Sequence, residues 1–111
     1  MEEVVYDTNE LIAFLKEGKL DLKGFTTVFS LIEFPKSLDF EQLTVIYPSL
    51  GDYEEGAEIS SELLQRGKPM PAIDMMIAAM CIRRNLTLVT RDNHFTAIKS
   101  IKKDFKLTLN K

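Results

Sequence analysis

The chain has 111 residues, 45% of them hydrophobic and 28% charged, which fits one globular domain (1–111) and leaves no room for a second. Its single cysteine excludes an internal disulfide. The net charge of −3 argues against a nucleic-acid partner, but residues 1–79 carry 6 Lys/Arg against 15 Asp/Glu and residues 80–111 carry 8 against 2. This asymmetry is compatible with a basic rim beside an acidic centre, and equally with a solvated, lysine-rich C-terminal helix.

The first third of the chain predicts one strand and two helices. Val4-Val5-Tyr6 is β-branched and aromatic, so it predicts a short buried strand that ends at Asp7. Residues 10–16 predict a helix because their apolar side chains recur on one helical face. Residues 24–27 predict a turn and a second helix N-cap, and Pro35 ends the helix that follows.

The remaining predicted elements are, in chain order, a strand over residues 43–47, a helix from residue 52 to Gly67, a helix over 72–83, a strand over 86–89, a helix over 95–103 and a strand over 107–109. The helix over 72–83 is apolar on nearly all sides, which predicts a central position. Strands that alternate with helices are typical of the α/β class. We therefore predict a three-layer α/β/α sandwich around a mostly parallel sheet.

Two acidic residues follow predicted strands directly or nearly so. Asp7 comes straight after Tyr6, and Asp92 comes three residues after Val89. In an open parallel sheet, sites form at the carboxyl ends of the strands, so these two side chains are candidates for one site. Each also has a purely structural explanation, because Asp7 fits a helix N-cap and Asp92 lies in an Asp-Asn turn dipeptide.

Two further carboxylates lie in apolar surroundings. Asp74 belongs to the apolar helix, and its neighbours on the same face are Ile77, Ala78 and Cys81. A charge there is costly unless it is paired or binds a cation, although the helix dipole also favours an aspartate in the first turn. Glu33 ends the run Val28-Phe29-Ser30-Leu31-Ile32, where an exposed helix end is the alternative.

Four carboxylates in one pocket would repel one another unless a cation compensated them. Oxygen ligands without several histidines or cysteines select Mg²⁺ or Mn²⁺ over zinc. Such ions catalyse phosphodiester hydrolysis through a metal-bound water, so no nucleophilic side chain is needed. This agrees with a chain that has one histidine, one cysteine and no catalytic triad.

Four segments together resemble the successive motifs of PIN-domain ribonucleases, most closely the VapC-type toxins of toxin–antitoxin pairs. They are Asp7-Thr8-Asn9 after a strand, Ile32-Glu33-Phe34 on a helix, the run from Ala72 to Ala79 around Asp74, and Leu88-Val89-Thr90-Arg91-Asp92-Asn93-His94-Phe95. The resemblance covers essentially the whole chain, in order.

The resemblance implies a Mg²⁺- or Mn²⁺-dependent endoribonuclease that acts as a homodimer and is inhibited by a small antitoxin protein. Asp7, Glu33, Asp74 and Asp92 match the four acidic positions that are catalytic and bind the metal. Thr90 matches a supporting hydroxyl, and Thr8 with Asn9 would support or cap the site. Phe95 would be a core anchor. His94 is expected to be a half-exposed turn residue without a role in proton transfer.

Two other functions remain open from the sequence. One is a non-catalytic RNA-binding or protein-interaction module on the same fold, which the retention of all four acids disfavours. The other is a phosphoacceptor regulatory domain, which would require paired acids after the first strand, where this chain has Asp7-Thr8-Asn9.

The expected location is the cytoplasm. The N-terminus, Met1-Glu2-Glu3, lacks the basic segment of a signal peptide. The longest apolar stretch, near residues 75–82, is too short to cross a bilayer. Cys81 lies in that stretch and is expected to be a small core residue.

Overall fold

A computed structural model describes residues 3–110, so Met1 and Glu2 of the predicted N-terminal segment lie outside the described residues. Its strands form one parallel sheet in the order β3-β2-β1-β4-β5. The strands are β1 (Val4–Tyr6), β2 (Gly24–Thr27), β3 (Leu43–Ile46), β4 (Thr87–Thr90) and β5 (Lys106–Leu109). The helices are α1 (Thr8–Lys16), α2 (Val28–Glu33), α3 (Leu50–Gln65), α4 (Ala72–Arg84) and α5 (Thr96–Ile101), with short 3₁₀ turns at Pro35–Asp39 and Asn93–Phe95.

The strand order explains the three layers. From β1 the chain moves one way through β2 to β3, then crosses to the other side of β1 and continues through β4 to β5. Right-handed crossovers in opposite directions place their helices on opposite faces of the sheet. The helix contacts agree, because α1 packs on α2 whereas α3 packs on both α4 and α5. The predicted fold class is therefore confirmed.

One predicted element is wrong. Residues 24–27 were expected to form a turn, but they form β2, which pairs with both β1 and β3. Gly24 has φ +134°, and a Cβ built there would lie 3.0 Å from the backbone oxygen of Val4. The glycine is thus required by the close approach of β1, which the local sequence does not reveal. The predicted N-cap is confirmed, since the Thr27 side chain accepts a hydrogen bond from the Ser30 backbone N–H.

The core lies between the sheet and helices α3, α4 and α5. Its fully buried side chains include Ile59, Leu63, Ile77, Phe95 and Phe105. Phe95 is therefore the core anchor that was expected. Cys81 is buried among them as a free thiol, and burial raises its pKa to about 12, which makes it unreactive.

Helix α4 ends where Asn85 adopts the left-handed conformation, with φ 56°. Among residues 3–110, none of the helices is both long and apolar enough to cross a membrane.

Candidate active site

The site lies at the carboxyl ends of β1 and β4, the point where the strand order reverses. These strands are neighbours with Tyr6 opposite Val89, and the Asp7 backbone N–H donates to the Val89 carbonyl oxygen at 3.0 Å. Asp7 and Asp92 therefore leave the sheet at the same edge. Open parallel sheets bind ligands at such a reversal because the loops diverge there and leave a crevice.

Asp7 is buried, and each of its two carboxylate oxygens accepts one hydrogen bond. Its Oδ1 accepts the Thr8 backbone N–H at 2.9 Å, and its Oδ2 accepts the Thr90 hydroxyl at 2.7 Å. The first contact caps α1, so the structural explanation given for Asp7 is correct. The second comes from the end of the neighbouring strand. Asp7 is thus both a helix cap and a fixed carboxylate facing the site.

Thr90 contacts both strand-end carboxylate residues. Besides donating to Asp7, its oxygen accepts the Asp92 backbone N–H at 3.1 Å. The supporting position predicted for Thr90 agrees with these two contacts, and the hydroxyl is fully buried. A serine would provide the same hydrogen bonds, whereas an apolar side chain would leave a buried oxygen of Asp7 without its donor.

His94 joins Asp74 to Asp92, a contact that the sequence did not indicate. Its Nε2 lies 2.7 Å from Asp74 Oδ2, and its Nδ1 lies 2.6 Å from Asp92 Oδ1. The ring also stacks on Phe95, with centroids 5.1 Å apart. The His94 side chain is 39% exposed, as expected for a turn residue. The Asp74 side chain is 22% exposed, so it is half-buried rather than enclosed in the core.

Glu33 is exposed and reaches the site through Thr8. The Thr8 hydroxyl donates to Glu33 Oε1 at 2.8 Å and lies 3.0 Å from the buried Ser30 hydroxyl oxygen. These contacts are compatible with the supporting role predicted for Thr8, which stays a prediction. Asn9 is exposed on α1. Ser30 was not predicted as part of the site, although a serine inside the apolar run Val28-Phe29-Ser30-Leu31-Ile32 could have indicated a buried hydroxyl.

The carboxylates influence one another electrostatically. Burial raises the pKa of Asp7 despite the hydrogen bonds from Thr90 and Thr8, and the charges of Asp74 and Glu33 raise it further. Burial also raises the pKa of Asp74 against the effect of His94, with Asp92 and Glu33 adding to the rise. The four predicted acids therefore form one interacting cluster. Asp7 and Asp74 have a raised pKa, chiefly because they are buried and to a smaller extent because the neighbouring carboxylates repel them.

Their oxygen-only donor chemistry fits a hard divalent cation. As the side chains stand, however, no three His, Cys, Asp or Glu residues between 3 and 110 converge as ligands of a single ion. The reason is visible in the hydrogen bonds: Glu33 points to Thr8, while Asp74 and Asp92 point to His94. The donor set fits the metal, and Asp74 and Asp92 would have to turn from His94 to share one.

Two buried acids outside the cluster were not predicted. The Glu10 side chain on α1 is buried. Arg91 Nε lies 2.5 Å from its Oε2, and the Asn110 side-chain amide donates a hydrogen bond to its Oε1. Asp52 was predicted only as the start of a helix, but it is fully buried beneath Arg83 and Arg84. Local periodicity does not separate these acids from the solvated ones, because their partners are distant in sequence.

The PIN domain family model matches residues 30–101, a range that contains Glu33, Asp74 and Asp92. Among curated proteins, no match to the chain is found.

Solved structures with a similar fold come from toxin–antitoxin complexes. VapBC-5 of Mycobacterium tuberculosis matches with a TM-score of 0.76 and 20% identity, over 99% of this chain and 100% of that chain. VapBC2 of Rickettsia felis, bound to a DNA fragment from its promoter, matches with a TM-score of 0.74 and 22% identity, over 96% and 97%. VapBC-1 of nontypeable Haemophilus influenzae gives 0.76 and 20%, over 96% of each chain. At these identities the similarity establishes the fold.

Proposed function

This chain belongs to the PIN-domain family, and we propose that it is a Mg²⁺- or Mn²⁺-dependent endoribonuclease, the toxin of a toxin–antitoxin pair. The observation that carries the proposal is the electrostatic cluster of Asp7, Glu33, Asp74 and Asp92 at the strand reversal. Burial, reinforced by the neighbouring carboxylates, raises the pKa of Asp7 and of Asp74, so keeping these two groups ionised costs folding free energy. Acidic residues with raised pKa values that lie together at a sheet edge are typical of functional sites, where a bound cation or a reaction needs them.

The residues of this chain orient the acids in three ways. Thr90 fixes Asp7 from the next strand, and Thr8 directs Glu33. His94 contacts both Asp74 and Asp92 and so fixes the two carboxylates relative to each other. In this role the three are positioning residues, because each acts through the carboxylates that it contacts.

Asp7, Glu33, Asp74 and Asp92 would hold the divalent cation, which when bound neutralises charge on the scissile phosphate and activates a water for attack. No serine, cysteine or histidine triad is present among residues 3–110, so the proposed nucleophile is water. Attack by water breaks the bond between phosphorus and the 3′-oxygen, which leaves a 5′-phosphate and a 3′-hydroxyl.

Cleavage of a defined RNA by the purified chain, with Mg²⁺ or with chelator, tests the proposal. We expect Asp7→Asn and Asp74→Asn to abolish Mg²⁺-dependent cleavage. Asp104→Asn is the matched control because Asp104 is an exposed acid before β5, at the opposite edge of the sheet. Cleavage that persists in Asp7→Asn would refute the assigned role, and a 2′,3′-cyclic phosphate product would refute attack by water.

A non-catalytic interaction module is the second candidate. One observation favours it: Asp74 and Asp92 contact His94 instead of converging as ligands of one metal ion. Thermal unfolding separates the two. At free Mg²⁺ about tenfold above its Kd, binding would stabilise the fold by about 1.4 kcal/mol, or about 5 °C in Tm. A shift that disappears in Asp7→Asn supports the nuclease, whereas no shift at millimolar metal favours the module.

We also propose a small antitoxin as partner and a homodimer as the assembly. Solved structures of similar fold include VapBC pairs, and VapBC-5 is a member of the VapBC family of toxin–antitoxin systems. Light scattering of the purified chain measures its assembly, and a monomer at micromolar concentration would contradict the dimer. Growth arrest on expression, relieved by the gene next to it, would support the toxin role.

A further inference from the structure

A cavity of about 430 Å³ opens beside the carboxylate cluster and shares His94 with it. Its walls come from the segment before α4, which contains Lys68, Pro69 and Met70, and from one side of α5 between Thr96 and Ser100. The volume lies within the roughly 300–1,000 Å³ typical of small-molecule sites. A larger cavity lies near residues 18–21 and 39–42, before β2 and β3, and so at the edge of the sheet away from the acids.

Lys68 gives this cavity an uncompensated positive charge. It is exposed, and within residues 3–110 it has no ion-pair partner. By contrast, Arg91 is bound to Glu10, and Lys102 is bound to Glu55 and Glu58. A cluster of acids repels the phosphates of RNA, so a free cation beside it is a suitable anchor for the backbone.

The other walls offer the remaining features that a nucleotide requires. The hydroxyls of Thr96 and Ser100 donate to the carbonyl oxygens of Asn93 and Ala97, so their own oxygens stay available as acceptors. Pro69 and Met70 add apolar surface, which suits the faces of a base or a ribose. The His94 ring is fixed by two carboxylates and by Phe95, so little ordering entropy is lost when a base packs on it.

We propose that this cavity, which we call the Lys68 pocket, binds one nucleotide of the RNA next to the phosphate that is cut. The proposal rests on the proposed nuclease function, because the shared His94 places the pocket directly beside the acids. Lys68 binds the phosphate of that nucleotide, and the Thr96 and Ser100 oxygens accept hydrogen bonds from the base or the ribose.

Binding of mononucleotides to the ¹⁵N-labelled chain in chelator tests the pocket without cleavage. We expect the four nucleoside 5′-monophosphates to shift the amide signals of Lys68, Thr96 and Ser100, and at least one of them to do so more strongly than inorganic phosphate or the free nucleoside. Shifts elsewhere, no shifts, or equal shifts with phosphate alone would overturn the proposal.

Two variants with matched controls sharpen the test. Lys68→Ala should raise the Kd of the preferred monophosphate about two- to fivefold, as expected for one exposed ion pair. Lys106→Ala removes a lysine at the opposite edge of the sheet and should leave Kd unchanged. Ser100→Trp should fill the pocket and remove binding, whereas Ser61→Trp, on the exposed side of α3, should not. Equal effects of test and control variants would refute the site.

Single-stranded RNA provides a second readout. The slope of log K against log [salt] should fall in magnitude by about 0.7 in Lys68→Ala, because one phosphate contact is lost. The two proposals can fail separately. Cleavage that needs Asp7, together with no mononucleotide binding, would overturn the pocket alone. Mononucleotide binding at the pocket, together with cleavage that survives Asp7→Asn, would overturn the assigned nuclease mechanism alone.

Discussion

Asp52 provides the most quantitative prediction. Its side chain is fully buried, and Oδ2 accepts hydrogen bonds from Arg84 at 2.8 Å and from the Ser49 backbone at 2.7 Å. Arg83 lies 3.2 Å from Oδ1. Burial alone would raise its pKa, but hydrogen bonds from Arg84, Ser49 and Arg83 outweigh burial and lower the pKa to about 2. These contacts join the start of α3 to the end of α4.

The lowered pKa sets the sign and size of a pH effect. The Asp52 carboxyl group has a pKa of 3.8 in the unfolded chain and about 2 in the folded protein. Because the folded pKa is the lower one, folding favours the ionised form. Its stabilisation is fully present above about pH 4 and is lost as the pH falls through about 2. A difference of about 2 pKa units corresponds to about 2.5 kcal/mol of unfolding free energy.

Asp52→Asn is the perturbation, and urea unfolding followed by circular dichroism is the assay. At pH 7 we expect the variant to lose about 2–4 kcal/mol, because Arg84 keeps a half-buried charge without its partner. The difference between wild type and variant should shrink by about 2 kcal/mol from pH 5 to pH 2, because half of the folded-state Asp52 is still ionised at pH 2. Asp104→Asn, an exposed acid, is the control and should show almost no difference. A wild-type advantage that stays constant over this pH range would refute the reasoning.

Two further variants test the contacts around the site. Thr90→Val should destabilise the fold by about 1–3 kcal/mol and reduce cleavage, because the buried Asp7 loses its hydrogen-bond donor. Thr90→Ser keeps the hydroxyl and should therefore have wild-type stability and cleavage. Unchanged unfolding of Thr90→Val in urea would contradict this reasoning. Arg91→Ala should lower the urea midpoint in the same assay, because Glu10 stays buried with the Asn110 amide as its remaining side-chain partner. The 48% exposure of Arg91 keeps the loss below that of an enclosed pair. A loss that vanishes would show that the pair contributes nothing measurable.

Much of the fold could be read from local patterns. The strand Val4–Tyr6 and the helix Ala72–Arg84 were predicted almost to their ends, because a continuous apolar run bounded by polar residues is a strong signal. Strand β2 was predicted as a turn because Gly24 disfavours a strand and Thr27 is a helix N-cap, whereas pairing with β1 and β3 gives this segment its conformation.

The candidate site was partly predictable for a similar reason. Asp7 and Asp92 were found because they follow strands, and in a parallel sheet strand ends share one edge. His94 was assigned as a turn residue, and its contacts with Asp74 and Asp92 depend on how α4 meets the end of β4. The metal and catalytic roles of the four acids stay predictions, which the cleavage and melting experiments test.

The sequence by itself determined the α/β class, the central apolar helix and the positions of the four acids along the chain. These follow from burial patterns and strand ends, which are local properties. Only the tertiary structure decided that Glu10 is bound by Arg91 and Asn110, and that Lys68 lies beside His94 in one pocket. The physical reason is that a charged side chain is stable either in solvent or in a buried pair, and the local sequence does not distinguish the two. The partner of Glu10 is Arg91, 81 residues away, and the packing of the whole domain brings the two together.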